Sequence, residues 1–329
     1  MLYAITEGFR AVRRSWGLVA LLLGVNLAIA ALLAVPFDRI LENDLGDTAS
    51  ASRMMYGFDY SWWSRWSDAR ADWTRSFAPD IFGAGFAFKN VDLLLRGEIP
   101  ARLFVVRSGD DGPESDGGPG AVLVGGLGLL YLFVQTFLTG GVLSVLRSQQ
   151  GSWTLRGLLH GAGFYFGRFL RLALLALLAD YVLFRLNAPF ASWADRQGRE
   201  AVSEATALAW SFGRHGLLLL AILFVHLLSC YAKVITVIEE RSSAVLAFLS
   251  SLSFCVANLG RTAGHYLSLA FMGVVLLALW SALDGAWGTV GYRTQIVTFV
   301  LMQTLVAGRI ALRVALLGGQ VALYRQTSS

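Results

Sequence analysis

Trp16-Gly-Leu-Val-Ala-Leu-Leu-Leu-Gly-Val-Asn-Leu-Ala-Ile-Ala-Ala-Leu-Leu-Ala-Val-Pro36 runs for 21 residues without a single charge. Wound as a helix it is about 31 Å long, the thickness of the hydrocarbon layer of a bilayer. Five more segments repeat that reading: residues 121–146, 171–190, 210–235, 264–283 and 296–320. The composition agrees. Of the 329 residues 56% are hydrophobic and 15% charged, against roughly a quarter charged in an ordinary soluble domain. The sequence therefore predicts an all-α polytopic membrane protein with six transmembrane helices and excludes a soluble enzyme.

Six spans put both ends of the chain on one side. Arg10, Arg13 and Arg14 precede the first span, and Arg147, Arg156, Arg168 and Arg171 lie around the loop between the second and third. Basic residues near span ends are retained in the cytoplasm, so both termini are expected there. From Asp38 to Asp116 there are 14 acids against 9 bases, so this stretch carries −5 and the rest of a +5 chain carries +10. Residues 37–119 are thus expected outside, and the membrane expected is a bacterial inner membrane. The chain divides into 1–36 (an amphipathic helix and the first span), 37–119 (the external loop) and 120–329 (five spans with short loops). Arg13, Arg14 and the small residues Ala28 and Ala30 resemble parts of a cleavable leader, but the first span is expected to be retained. The basic balance indicates membrane lipids as partners and not nucleic acid.

Three inward helix ends share a phrase: Gly140-Gly141-Val-Leu-Ser-Val-Leu-Arg147, Ala232-Lys233-Val-Ile-Thr-Val-Ile-Glu239 and Gly318-Gly319-Gln-Val-Ala-Leu-Tyr-Arg325. Each outward span is preceded by a stretch with helical periodicity, at 4–15, 155–169 and 244–259. The unit of cytoplasmic amphipathic helix, outward span, external loop and inward span then occurs three times. Two spans per unit keep successive copies parallel, unlike inverted transporter repeats. Mitochondrial carriers also hold three two-helix units, but here Pro36 and Asp38 are followed by Leu41 where their signature needs a base. Glu7-Gly8-Phe9-Arg10 leading to Ser15-Trp16-Gly17, with Gly140-Gly141 and Gly318-Gly319, resembles the bacterial six-span families typified by the membrane domain attached to glycerophosphodiester phosphodiesterases. That resemblance implies architecture. It implies no phosphodiesterase activity, because no such domain is present.

In the external loop Trp62, Trp66, Trp73 and Phe77 recur at helical spacing opposite Arg65, Asp68, Asp72 and Arg75. This is the pattern of a helix in the membrane interface. The same aromatic face could instead pack on the bundle or on a protein partner. Residues 81–95 form a second apolar stretch, and Ser108 to Pro119 reads as a linker. Trp16, Trp153, Trp193, Trp210, Trp280 and Trp287 stand near span ends, as amphipathic rings do. Cys230 and Cys255 offer neither a disulfide framework nor metal-ligand spacing.

Charge inside hydrocarbon costs several kcal/mol and marks interior or functional positions. Four residues qualify: Asp180, His226, Arg309 and Arg313. Arg309 stands 14 residues after Gln295 and 16 before Arg325, about 21 to 24 Å from either. On the same helix Ala307, Ala311, Ala315 and Gly319 form a small-residue stripe for close packing, with the arginines about 200° around from it. The arginines are expected either to bind an anionic headgroup or to pair with Asp180. His226 alone reads most simply as a hydrogen-bonded histidine. No His-Glu-x-x-His, Cys-x-x-Cys, Gly-x-Ser-x-Gly or phosphate-binding Gly-Lys-Ser occurs. An enzyme, a metal site and a cofactor are therefore not expected. Handling or transport of an anionic lipid ranks first, a structural or accessory subunit of a membrane complex second, and a membrane-embedded enzyme third.

Overall fold

The computed structural model describes residues 2–46, 48–54, 59–70, 119–148, 153–286 and 292–328. Trp73, Phe77, the stretch 81–95, the linker 108–118 and Trp287 lie outside the described residues. Among those described the chain is all helix. The helices are α1 (Leu2–Arg14), α2 (Trp16–Leu45), α3 (Ala49–Met54), α4 (Tyr60–Ala69), α5 (Pro119–Ser148), α6 (Leu155–Arg199), α7 (Glu204–Ile238), α8 (Ala244–Ala257), α9 (Leu259–Ala286) and α10 (Tyr292–Ser328).

Five helices are long and apolar enough to cross a membrane: α2, α5, α7, α9 and α10. Residues 171–190, expected as a sixth span, form the middle of the 45-residue α6. There Asp180 and Arg185 interrupt the apolar run. The outer surface is apolar, as in a protein dissolved in lipid: Leu177 is 63% exposed, Leu220 64% and Phe271 67%.

What holds the bundle together is concentrated at one end. The C-terminal halves of α5, α7 and α10 converge there, and Val142, Leu143, Leu146, Val234, Ile235, Val237, Val314, Leu317 and Val321 form one buried cluster. Their last turns are tied by polar contacts. Arg325 donates to the carbonyl of Arg147 at 2.6 Å, Arg147 donates to Glu240 at 2.6 Å, and the Tyr324 hydroxyl bonds Glu239.

Each of the three converging ends carries a helical segment packed on it, amphipathic in α1 but apolar in α8, where an amphipathic helix was expected. Against α10 lies α1, with a Gly8 side chain excluded by the Ala315 carbonyl and one at Gly319 by the Ala4 carbonyl. Against α5 lies the start of α6, where a side chain at Gly141 would meet the Leu158 carbonyl and one at Gly140 the Tyr165 Cβ. Against α7 lies α8, which buries Ala247, Ser251 and Cys255. Glycine is needed where two backbones approach this closely, since any Cβ would overlap a carbonyl.

The boundary between packed helix and span differs among the three. Ser15 breaks α1 from α2 with φ −119° and ψ 37°, and Asn258 breaks α8 from α9 with φ −123° and ψ 33°. The corresponding residue in α6, reckoned from the packing register, is Phe169, which is fully buried and stays helical. Asn258 Nδ2 donates to the Phe254 carbonyl at 3.2 Å and so competes for the helix's backbone bonds, which a phenyl ring cannot do; Ser15 makes no side-chain cap bond. The separate helix expected at 155–169 is continuous with residues 170–199.

Candidate functional site

Three helices, α2, α5 and α10, enclose a cavity of about 300 Å³ beside the converged core. Its apolar walls include Leu22, Leu138, Val306, Ile310 and Leu317, and its polar groups are Asn26, Tyr131, Gln135, Thr139, Arg309 and Arg313. No aspartate or glutamate among the described residues lines it. Arg313 is 12 residues before Arg325 and Gln135 12 before Arg147. Both therefore lie about 18 Å along their helices from the tied ends.

Arg313 is held. Its Nη1 donates to Gln135 Oε1 at 2.6 Å and its Nη2 to Thr139 Oγ1 at 3.1 Å. Gln135 Nε2 in turn donates to Asn26 Oδ1 at 3.3 Å, and Asn26 Nδ2 to the Leu22 carbonyl at 2.8 Å. The Thr139 hydroxyl donates to the Gln135 carbonyl at 2.6 Å. Every link runs in one direction, from cation to carbonyl, so the two amides can adopt only this orientation. A guanidinium has five N–H donors, and the two bonds leave roughly three for something else.

Arg309 is exposed at the cavity and has no hydrogen bond or ion pair among the described residues. It stands one turn from Arg313 on the same helix face, where like charges repel. Lys233 on α7 is near enough to Arg313 to interact electrostatically and is likewise without an acidic partner among the described residues. Each cation at the centre of a span costs about 3 kcal/mol to insert, and no carboxylate among the described residues offsets that.

The expected pairing of Asp180 with the arginines does not occur among the described residues. Asp180 sits on α6, which does not border the cavity, and its charged neighbour is His226 on α7. His226 is exposed and rests on the Tyr266 ring, with centroids 5.7 Å apart. The sequence thus singles out four residues, of which the fold brings two together at the cavity and the other two together elsewhere. Among the described residues no three of His, Cys, Asp and Glu gather as a metal site would require.

Of the aromatic helix, Trp66 is buried to 7% exposure on the outer end of α2. Its ring meets Phe37 edge-on at 6.0 Å and stacks on Trp62 at 5.4 Å, and its Nε1 donates to Asp44 at 2.8 Å. Arg70 clasps the same carboxylate at 2.9 and 3.0 Å. Trp66 therefore faces protein, while Trp62 is half-buried.

Sequence reasoning missed Asn26, Gln135, Thr139 and Tyr131. The available signal was depth: Gln135 and Arg313 occupy the same place relative to the recurring phrase, so a polar group on one inward helix faced a polar group on another. The chain matches no protein-family model, no curated protein and no solved structure. Its chemistry has to be read from this geometry.

Proposed function

We propose that this integral membrane protein handles an anionic amphiphile, held by its charged head at Arg309 and Arg313. The observation that carries the reading is a pair of guanidinium groups in a cavity between apolar helices, lined by no acid among the described residues, with one cation pre-positioned by Gln135 and Thr139 and the other uncommitted. Arginine presents planar paired donors suited to phosphate and carboxylate. Transport of such a lipid, or presentation of it to another protein, are the roles that fit.

The reading includes a topology of six crossings, with α6 as the third, both termini cytoplasmic and residues 37–119 outside, in a bacterial inner membrane. It also includes three parallel two-helix units around an axis along the membrane normal. Supporting this is the cyclic order of packing: α1 lies on α10, the start of α6 on α5, and α8 on α7, so each unit's first helical segment covers the inward span of the unit before it. Ala4, Gly8 and Ala11 meet α10 in the register in which Leu158, Ala162 and Tyr165 meet α5. The likeness to six-span membrane domains concerns this architecture. Its accompanying expectation is a protein without catalysis of its own.

The test is to purify the full chain gently and identify bound lipid by native mass spectrometry. Wild type should retain anionic lipid, and Arg309→Ala with Arg313→Ala should lose it. Equal lipid in a folded double variant would overturn the proposal.

A further inference from the structure

Resting on that reading, we infer that the site selects a phospholipid with a small, purely anionic head, received sideways from the bilayer, and rejects zwitterionic lipids. What the cavity lacks decides the charge of the head. A zwitterionic head brings an ammonium group bound close to its phosphate. With the phosphate on Arg309 and Arg313, that ammonium would need an acidic or carbonyl partner nearby. Among the described residues the lining supplies no carboxylate. The side-chain carbonyls of Asn26 and Gln135 each already accept one bond, from Gln135 and Arg313, and the lone pair each has left lies beside the Arg313 cation, which repels an ammonium. A phosphate esterified to glycerol, or a phosphomonoester, brings hydroxyls or further negative charge and meets none of these objections.

Cavity size and surroundings decide the route. About 300 Å³ lies at the bottom of the range for small-molecule pockets and takes a phosphate with a glycerol-sized group, but not two acyl chains. The chains must therefore lie outside, and the rim is built for them. Around the depth of Arg309 and beyond it, on the helix faces that carry the lining residues Thr139 and Val306, α5 exposes Leu132 (49%) and α10 exposes Phe299 (58%) and Met302 (37%). Arg309 and Tyr131 are themselves exposed at this mouth. A soluble anion would have to cross that apolar rim without a tail to favour the passage. Arg309, with no bond to break, reaches for the incoming head, and Arg313 in its fixed frame receives it.

The test uses the full chain, delipidated in neutral detergent and offered equimolar phosphatidylglycerol and phosphatidylethanolamine of matched acyl chains, with bound lipid counted by native mass spectrometry. Phosphatidylglycerol should be retained about tenfold over phosphatidylethanolamine, the factor that corresponds to one unfavourable charge contact of roughly 1.4 kcal/mol. Arg309→Gln, which disturbs no bond of the fold, should erase the preference, and Arg309→Lys should restore part of it. Millimolar inorganic phosphate should displace little. Equal retention of the two lipids in wild type, with both lost in the Arg309 and Arg313 double alanine variant, overturns the head selectivity alone. Displacement by inorganic phosphate overturns the sideways lipid route and makes the ligand a soluble anion. Retention that ignores both arginines overturns the underlying site.

Discussion

Replacing Gly8 with alanine tests the packing of α1 on α10, and the structure sets its size. The new Cβ would lie 2.3 Å from the Ala315 carbonyl oxygen and 3.0 Å from its carbon. An ordinary carbon–oxygen contact is about 1 Å longer than the first of these, and the obstacle is backbone, so α1 must withdraw from α10. Overpacking of this kind costs about 1–3 kcal/mol, reduced by up to about 1 kcal/mol because alanine favours helix over glycine. Gly141→Ala repeats the experiment on α5, with 2.5 Å to the Leu158 carbonyl oxygen. Gly163 and Gly167 have open space around them, so their alanine variants carry only the helix-propensity gain and should be neutral or slightly stabilised. Cys230 and Cys255 are both buried, which permits a melting assay in detergent with a dye that fluoresces on reaching a free thiol. Gly8→Ala and Gly141→Ala should melt below wild type, and Gly163→Ala at or above it. If all three melt together, the close approach of α1 to α10 and of α6 to α5 is wrong.

Gln135→Glu places a carboxylate where Arg313 Nη1 already donates at 2.6 Å; the internal pair should lower anionic-lipid retention about tenfold, while the lost donation to Asn26 Oδ1 offsets the pair's gain and leaves the melting temperature near wild type, measured by native mass spectrometry and the thiol assay. Trp66→Ala removes the ring that joins α4 to Phe37 and Asp44. Large-to-small core changes of this type cost about 3–5 kcal/mol, which should free α4 to protease digestion while leaving bundle melting unchanged. Asp59 caps α4 by accepting from Ser61 and from the Trp62 backbone N–H, and these bonds hold its carboxyl below the ordinary 3.8. A lowered folded-state value means that the cap contributes above the unfolded value and is lost as pH falls through the folded one. Tryptophan emission from α4 should therefore be constant from neutral pH down to about 4 and change below it, and Asp59→Asn should remove that part of the acid transition.

The helical, membrane-spanning character was legible because unbroken apolar runs such as 16–36 have no other stable home. The helix at Leu2–Arg14 was legible from its periodicity, and the glycine-lined seats on α5 and α10 from the phrase shared by Gly140-Gly141 and Gly318-Gly319; the apolar character of α8 was misread as amphipathic. What periodicity could not reveal was continuity: α6 runs on through the buried Phe169, where Ser15 and Asn258 interrupt their helices. The candidate site was half legible. Arg309 and Arg313 stood out because charge in hydrocarbon is costly. Asn26, Gln135 and Thr139 did not, since uncharged polar residues are tolerated in spans and acquire meaning only when neighbouring helices bring them to one depth. Asp180 misled for the complementary reason. Sequence shows that an acid lies within the membrane, but not that α6 stands away from the α2–α5–α10 cavity.

A phosphate meeting two guanidinium groups in mid-bilayer is the contact on which the proposed function depends, and it can be measured. With the protein reconstituted in phosphatidylglycerol and its arginines labelled with carbon-13, solid-state dipolar recoupling between lipid phosphorus-31 and guanidinium carbon reports the contact itself. The expected result is phosphorus at hydrogen-bonding range of a dehydrated guanidinium, seen in wild type and absent from the Arg309→Ala, Arg313→Ala variant. Identical phosphorus contacts in the two proteins, or a pair of arginines in exchange with bulk water, would contradict it.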